Sequence, residues 1–413
     1  MKKSLFLAAL MLISASCFAQ KAAVRTAKNL ALQETPDFDG ARAAIKGALE
    51  NEETKDLTET WFVAGQIGYE QSKNIWYMGQ MGQPVDNATK GAAVVESINY
   101  WLVADSLAMI PTYDKKGNPK YDLRTRKKIS ENLLEFYQRQ DLIAYAQYLD
   151  SQDDVYGIAN ACKMHCDIPD LEMMQDPKMQ AKLEKDTTYY QYLSWAMMYY
   201  YRAKAYDEAL AIAKRLEVNP SYTSMAYQYY YDLYKLMGDT VTAKAKLSEA
   251  VELFPQEAWF MQNMINDLIH SRDTIGAMAC LDKAIASDPS QAQYYYVKAT
   301  LLGTLLRFEE AFEYFDKAIA IEPTNPDYYL SYAYTYSDKA EVMIIGTDNL
   351  TQKEYMAVKK QSDEVRKLAL PYFEKAHELA PGNSQYAIPL RQCYYRLGME
   401  DEYNKLNEEI KNY

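Results

Sequence analysis

From residue 190 onward, apolar and polar positions recur in blocks of 34 residues. Ala209, Ala243, Ala277 and Ala311 stand 34 residues apart, inside runs such as YDEALAIAKRL (206–216) and FEEAFEYFDKAIAIEP (308–323). Counted from starts at 190, 224, 258, 292 and 326, the fourth position is Leu193, Tyr227, Met261, Tyr295 and Tyr329, and the eighth is Met197, Tyr231, Ile265, Ala299 and Ala333. The eleventh is Tyr200, Tyr234, Leu268, Leu302 and Tyr336. Apolar residues at i, i+4 and i+7 predict one helix, the alanine columns predict a second that neighbours approach closely, and Pro255, Pro289 and Pro323 stop it. A helix pair of this size cannot bury its apolar face alone, so it must stack on its neighbours.

This column pattern resembles the tetratricopeptide repeat family, most closely in Tyr295-x3-Ala299-x2-Leu302 followed by Phe308-x2-Ala311-x3-Phe315-x2-Ala318-x4-Pro323. The resemblance implies an all-α solenoid, a right-handed superhelix of helix-turn-helix repeats. Residues 190–325 form the regular array and 20–189 its irregular N-terminal part. There, 37–50 reads as a second helix, Trp61-x3-Gly65 opens a first helix, and Gly91–Asp105 supplies its partner. Gly and Pro in 78–87 predict a longer loop between them. Alternating residues around Lys116-Gly117-Asn118 predict a short β-hairpin arm within 107–124. Helices resume over 124–148 and from Asp154 to His165. In 326–413 the closing proline falls at Pro381 instead of position 357, so 24 residues are inserted, with a capping box at Thr351-x2-Glu354. The charged end of the chain reads as a capping repeat.

Residues 1–19 have Lys2 and Lys3 ahead of an apolar run from Leu5 to Ile13 and a small-x-small site at Cys17-Phe18-Ala19, the pattern of a cleaved export signal. Cleavage there would leave 394 residues and move the formal charge from −12 to −14, because two lysines and no acids are lost. A lipoprotein signal would need a large aliphatic residue where Ser14 stands, which disfavours lipidation of Cys17. The run is too short to span a bilayer, so the expected location is the periplasm, the outer-membrane surface or the medium, without a transmembrane anchor.

With 45 Lys and Arg against 57 Asp and Glu and no basic block in view, a nucleic-acid partner is not expected. The 38 tyrosines are the unusual count, and a ring that packs while its hydroxyl reaches water suits stacked interfaces or an aromatic binding surface. Catalytic motifs are lacking, so neither an enzyme nor a cofactor or metal is expected. Cys162-x2-His165-Cys166 shares one helix face but lacks a fourth ligand, which favours packing over zinc or a nucleophile pair. Cys280 and Cys393 read as small buried hydrophobes. Asp followed by Ser or Thr, at Ser106, Thr187, Thr240 and Thr274, resembles an O-glycosylation sequon of exported proteins, although Asp and Thr at inter-helix turns also serve as helix caps.

In the family resembled, first-helix positions 2, 5, 9, 12 and 13 line a concave face and bind partners. Carried over, these are Tyr201, then Gln228, Asp232 and Lys235, then Trp259, Gln262, Asn266 and His270, with Tyr296 expected beside them, and finally Tyr334. Aromatic rings among amides suit an extended peptide or a stacked glycan. The resemblance implies an exported, non-enzymatic scaffold for a protein or peptide, the alternative being a glycan-handling accessory protein at the outer membrane.

Overall fold

A computed structural model describes residues 20–183, 188–345, 347 and 349–411. The export signal read from residues 1–19, with Cys17, lies outside the described residues, as does Thr187. The chain divides into two compact units, Met1–Ala243 and Lys244–Tyr413.

The first unit begins with α1 (20–32), α2 (Phe38–Glu50), α3 (Thr58–Gln80) and α4 (Asn87–Ala108). The arm follows, β1 (Thr112–Tyr113) and β2 (Pro119–Lys120), then α5 (Leu123–Gln138), α6 (Asp141–Ser151), α7 (Val155–Asp167) and α8 (Pro177–Leu183). The regular part adds α9 (Tyr189–Arg202), α10 (Tyr206–Leu216), α11 (Thr223–Leu236) and α12 (Thr240–Leu253), the last crossing into the second unit. That unit continues with α13 (Ala258–His270), α14 (Thr274–Ser287), α15 (Ala292–Thr304), α16 (Phe308–Ile321), α17 (Pro326–Val342), the inserted α18 (Gln352–Lys367), α19 (Leu370–Leu379), α20 (Ser384–Leu397) and α21 (Glu400–Ile410).

Short polar side chains set many of the helix starts. Asp37, Asp86, Asp122, Asp154 and Asp273 each accept a hydrogen bond from a backbone N–H three residues on, and Thr351 with Glu354 closes the expected capping box. The helix-pair corners repeat as the register requires. Lys204, Gly238, Arg272 and Leu306, spaced by 34, all have positive φ. The residue after each donates its N–H five residues back at 2.9 Å, to Tyr200, Tyr234, Leu268 and Leu302. Gly398 is the same corner, displaced by two repeats and the 24-residue insertion.

Burial follows the columns. Ala209, Ala277, Ala311 and Ala318 are fully buried, as are Leu193, Met197 and Leu302. In the first unit Trp101 is fully enclosed by Phe62, Tyr69 and Phe136, and it sits so close to α3 that a Cβ on Gly65 would lie 2.4 Å from its ring. In the second, Tyr332 stacks on Phe312, Phe315, Tyr336 and Tyr372 at 4.1–5.4 Å, which is where part of the tyrosine excess goes.

Several expectations need correction. The loop expected at 78–87 is shortened because α3 continues to Gln80. The arm is confined to a tight hairpin, since α4 runs through Ala108 and α5 starts at Leu123. The helices over 124–148 are α5 and α6, separated at Gln140, whose φ is 54°. Cys280 is half-buried on α14. Lys298, which reads as exposed by its charge, is only 6% exposed. A basic block does exist: 111–128 holds seven Lys or Arg against two Asp.

Candidate functional site

In the first unit the structure brings Tyr201, Asp232 and Tyr229 together. The Tyr201 ring meets Tyr229 edge-on at 5.3 Å; burial raises both phenols, followed by the Asp232 carboxylate at Tyr201 and by Tyr201 and then Asp232 at Tyr229. Burial also raises Asp232 itself, against the pull of Lys235. Lys235 donates from Nζ to the Tyr231 hydroxyl at 2.8 Å, and Gln228 is half-buried on the same helix. An apolar cleft of about 250 Å³ lies nearby, between α6, α7 and α9, with Trp195 and Met198 facing Ile143, Ile158 and Cys162.

In the second unit Gln262, Asn266 and His270 form an exposed line along α13, one helical turn apart. The His270 Nδ1 donates to the Asn266 carbonyl at 2.7 Å. Trp259 is half-buried and lies edge-on to Phe260 at 5.2 Å. Tyr296 is not part of this line. Its ring is 4.9 Å from Tyr328 and its hydroxyl 3.0 Å from Ser331 Oγ, so it is directed at the following helix α17; it is Tyr294 whose hydroxyl meets Gln262. Tyr334 stands 45% exposed with Phe373 edge-on at 5.5 Å.

Around Tyr334 lies a cleft that the periodicity does not reveal, about 200 Å³ in volume. Asp338 and Glu341 of α17, Arg366 of α18 and Arg396 of α20 line it with Phe373. Arg396 pairs with Glu341 at 3.2 Å and Arg366 with Asp363 at 3.3 Å, while burial, then Glu341, raises the Asp338 carboxyl. Tyr334 and Asp338 occupy binding positions of the repeat pattern and were legible; Arg366 arrives on the inserted helix and was not.

The cysteine and histidine candidates of α7 pack in the interior. Cys162 and Cys166 are buried, with Cys166 Sγ donating to the Tyr189 carbonyl at 3.5 Å, and burial pushes the Cys162 thiol up to about 12 and that of Cys393 to about 11, far from thiolate reactivity. The His165 ring stacks on Tyr137 at 4.3 Å and meets Tyr192 edge-on. Among the described residues no group of three His, Cys, Asp or Glu could hold a metal ion. Ser106 Oγ donates to the Leu102 carbonyl inside α4, and Asp239 and Asp273, beside Thr240 and Thr274, cap α12 and α14.

No curated protein matches the chain. Among solved structures, YrrB, described as a tetratricopeptide repeat protein with an unusual peptide-binding site, aligns at 16% identity and TM-score 0.36, covering 52% of this chain and 98% of its own. A MamA protein aligns at 16% identity and TM-score 0.35, covering 46% and 91%, and MamA from Desulfovibrio magneticus RS-1 at 16% and 0.34, covering 46% and 92%. Residues 314–356 match a tetratricopeptide repeat family model. Around that match, helix pairs, left-handed corners and buried alanines recur every 34 residues, so the tetratricopeptide repeat matched there is one unit of an α-helical repeat array.

Proposed function

We propose that the protein is an exported, non-enzymatic scaffold that holds a protein or peptide partner on the first-helix faces of its repeats. The observation that carries this reading is the exposed line of Gln262, Asn266 and His270, amide and imidazole groups one turn apart on a helix whose opposite face, through Phe260 and Ile265, is buried. Such a line offers hydrogen bonds at a spacing an extended peptide can follow, with Trp259 as an aromatic neighbour. Export rests on the pattern of residues 1–19, and recovery of a periplasmic chain beginning at Gln20 tests it.

The experiment is affinity capture from periplasmic extract with the wild type and with Gln262→Ala/Asn266→Glu/His270→Ala. All three side chains are exposed, so the variant should keep its helical signal while capture weakens by ~2 kcal/mol, on the order of thirtyfold. Unchanged capture by the folded variant overturns the site. Binding on a glycan array, with nothing captured from the extract, moves the function to glycan handling.

A further inference from the structure

The arm between α4 and α5 carries a charge opposite to that of the protein. Residues 111–128 hold seven Lys or Arg and two Asp, in a chain of formal charge −12. No residue from Thr112 to Arg124 is buried. Lys115 and Lys116 stand at the turn, Lys120 on β2 and Arg124 in the first turn of α5, all four exposed.

Both acids of the arm are engaged by backbone amides. Asp114 accepts from Lys116 N at 2.8 Å, from Asn118 N at 2.9 Å and from Asn118 Nδ2 at 3.2 Å, and Asp122 caps α5 through Thr125 N at 3.1 Å. Arg126 pairs with Asp105 and Glu172 and Lys127 with Glu131, but Lys115, Lys116, Lys120 and Arg124 have no ion-pair partner among the described residues, so the arm keeps a net positive field. It continues past Leu123 into a cleft of about 490 Å³ lined by Lys127, Lys178 and Lys182 together with Glu131 and Asp176.

The arm is also apolar where water would not favour it. The ladder pairs Tyr113 with Pro119 and Thr112 with Lys120, so strand alternation puts Tyr113, Pro119 and Tyr121 on one face. Tyr113 is 70% exposed, and Ile110 and Leu123 at the base of the arm are each 60% exposed. A soluble polyanion would satisfy the ammonium groups and leave Ile110 and Leu123 in water. A lipid bilayer interface satisfies both: phosphate headgroups face the basic groups, tyrosine rings sit at headgroup level, and aliphatic tips reach the acyl boundary.

We propose that this hairpin arm docks the protein peripherally on a bilayer rich in anionic phospholipid. No helix of the described residues is long and apolar enough to cross a membrane, so the contact is superficial and reversible. The proposal is independent of the first-helix faces and of any partner held there.

The test is sedimentation of the protein with sucrose-loaded vesicles, either phosphatidylcholine alone or phosphatidylcholine mixed with phosphatidylglycerol, at low and high salt. Wild type should sediment with the mixed vesicles only, and less so at high salt. Lys115→Glu/Lys116→Glu/Lys120→Glu should weaken partition on the order of a hundredfold, whereas Lys28→Glu/Lys46→Glu/Lys353→Glu, reversing exposed lysines elsewhere, should bind far more like wild type. Tyr113→Ser/Leu123→Ser should weaken binding about tenfold at either salt concentration. Because every arm residue changed is exposed, circular dichroism should be unaltered in all variants. Equal sedimentation with both vesicle types, or equal loss in the arm and distant charge variants, overturns the proposal. Wild-type binding by Tyr113→Ser/Leu123→Ser overturns it too, in favour of a soluble polyanion read by charge alone.

Discussion

Lys298 and Asp282 form an ion pair that lets a lysine occupy the buried side of α15: the stem of Lys298 is enclosed, and its ammonium reaches the largely exposed Asp282 carboxylate on α14. On the way it passes 4.2 Å from the centroid of the Tyr314 ring and donates to the Tyr314 hydroxyl at 2.8 Å. The aliphatic stem therefore packs while the charge stays near water. Lys298→Met, which keeps the stem, should lie within ~1 kcal/mol of wild type in chemical denaturation. Lys298→Ala should cost ~2 kcal/mol through the space it vacates. Equal losses for the two would assign the contribution to the charge instead.

The left-handed corners hold a second prediction. Leu306 and Arg272 adopt φ of 59° where Gly238, in the same place one repeat before Arg272 and two before Leu306, has 84°. A side chain at positive φ costs ~1 kcal/mol or more that glycine avoids. Leu306 is mostly exposed, so little packing is lost with it. Leu306→Gly should raise stability by about 0.5–1 kcal/mol, and Gly238→Ala should lower it by about 1 kcal/mol, both read from thermal melts. Insensitivity of the melt to Gly238→Ala would remove the argument.

Alkaline pH should unfold the protein cooperatively. Burial raises the phenols of Tyr69, Tyr230, Tyr328, Tyr332 and Tyr394, and hydrogen bonds to Glu135, Glu217, Glu322, Tyr372 and Glu374 raise them further; Tyr386 is pushed up to about 12 by burial and Asp327. Burial alone would lower Lys298, but Asp282 and Tyr314 outweigh it and raise it as well. Each group has a folded value above its unfolded one. Their contributions are thus complete below about pH 10, the unfolded tyrosine value, and are lost as pH rises through the folded values. The share of tyrosinate absorbance that comes from these rings should therefore appear late and together with loss of ellipticity. Full tyrosine ionisation near pH 10 with the helices intact would contradict the buried hydrogen bonds.

The regular half of the chain was legible because one residue type per column does one job. Ala311 needs to be small where helices cross, Leu302 needs to be apolar, and both requirements repeat at the same interval. Legibility failed where a side chain has two natures. Lys298 reads as surface by charge, yet its stem packs; Tyr296 falls on a binding position by count, yet its ring is taken up by Tyr328 and Ser331. It failed again where the contact is tertiary. Nothing in the sequence around Arg366 says that the inserted helix carries it to the cleft beside Tyr334, and an overall charge of −12 masked the basic arm because opposite signs are averaged along the chain.

The first unit contains a buried charge network that no periodicity announces, and it yields the last prediction. Asp141, fully buried at the start of α6, accepts from Arg139 Nε at 2.9 Å and pairs with Lys90 of α4 at 3.2 Å. Arg139 extends the network to Glu135 at 2.7 Å, and Glu135 accepts from the Tyr69 hydroxyl at 2.6 Å. Lys90 is nearly as enclosed as Asp141, so neither charge has water to fall back on if the other is removed. Desolvating such a pair costs about as much as the attraction returns, whereas stranding one member is expensive. Asp141→Ala should therefore cost ~3–5 kcal/mol, because Lys90 is left charged and buried. Lys90→Met/Asp141→Leu, which replaces both with apolar groups of similar length, should recover most of that loss, although Arg139 must then rely on Glu135 alone. A double-mutant cycle in urea reads the coupling directly. A double variant no more stable than Asp141→Ala would show that Arg139, not Lys90, is the charge Asp141 serves.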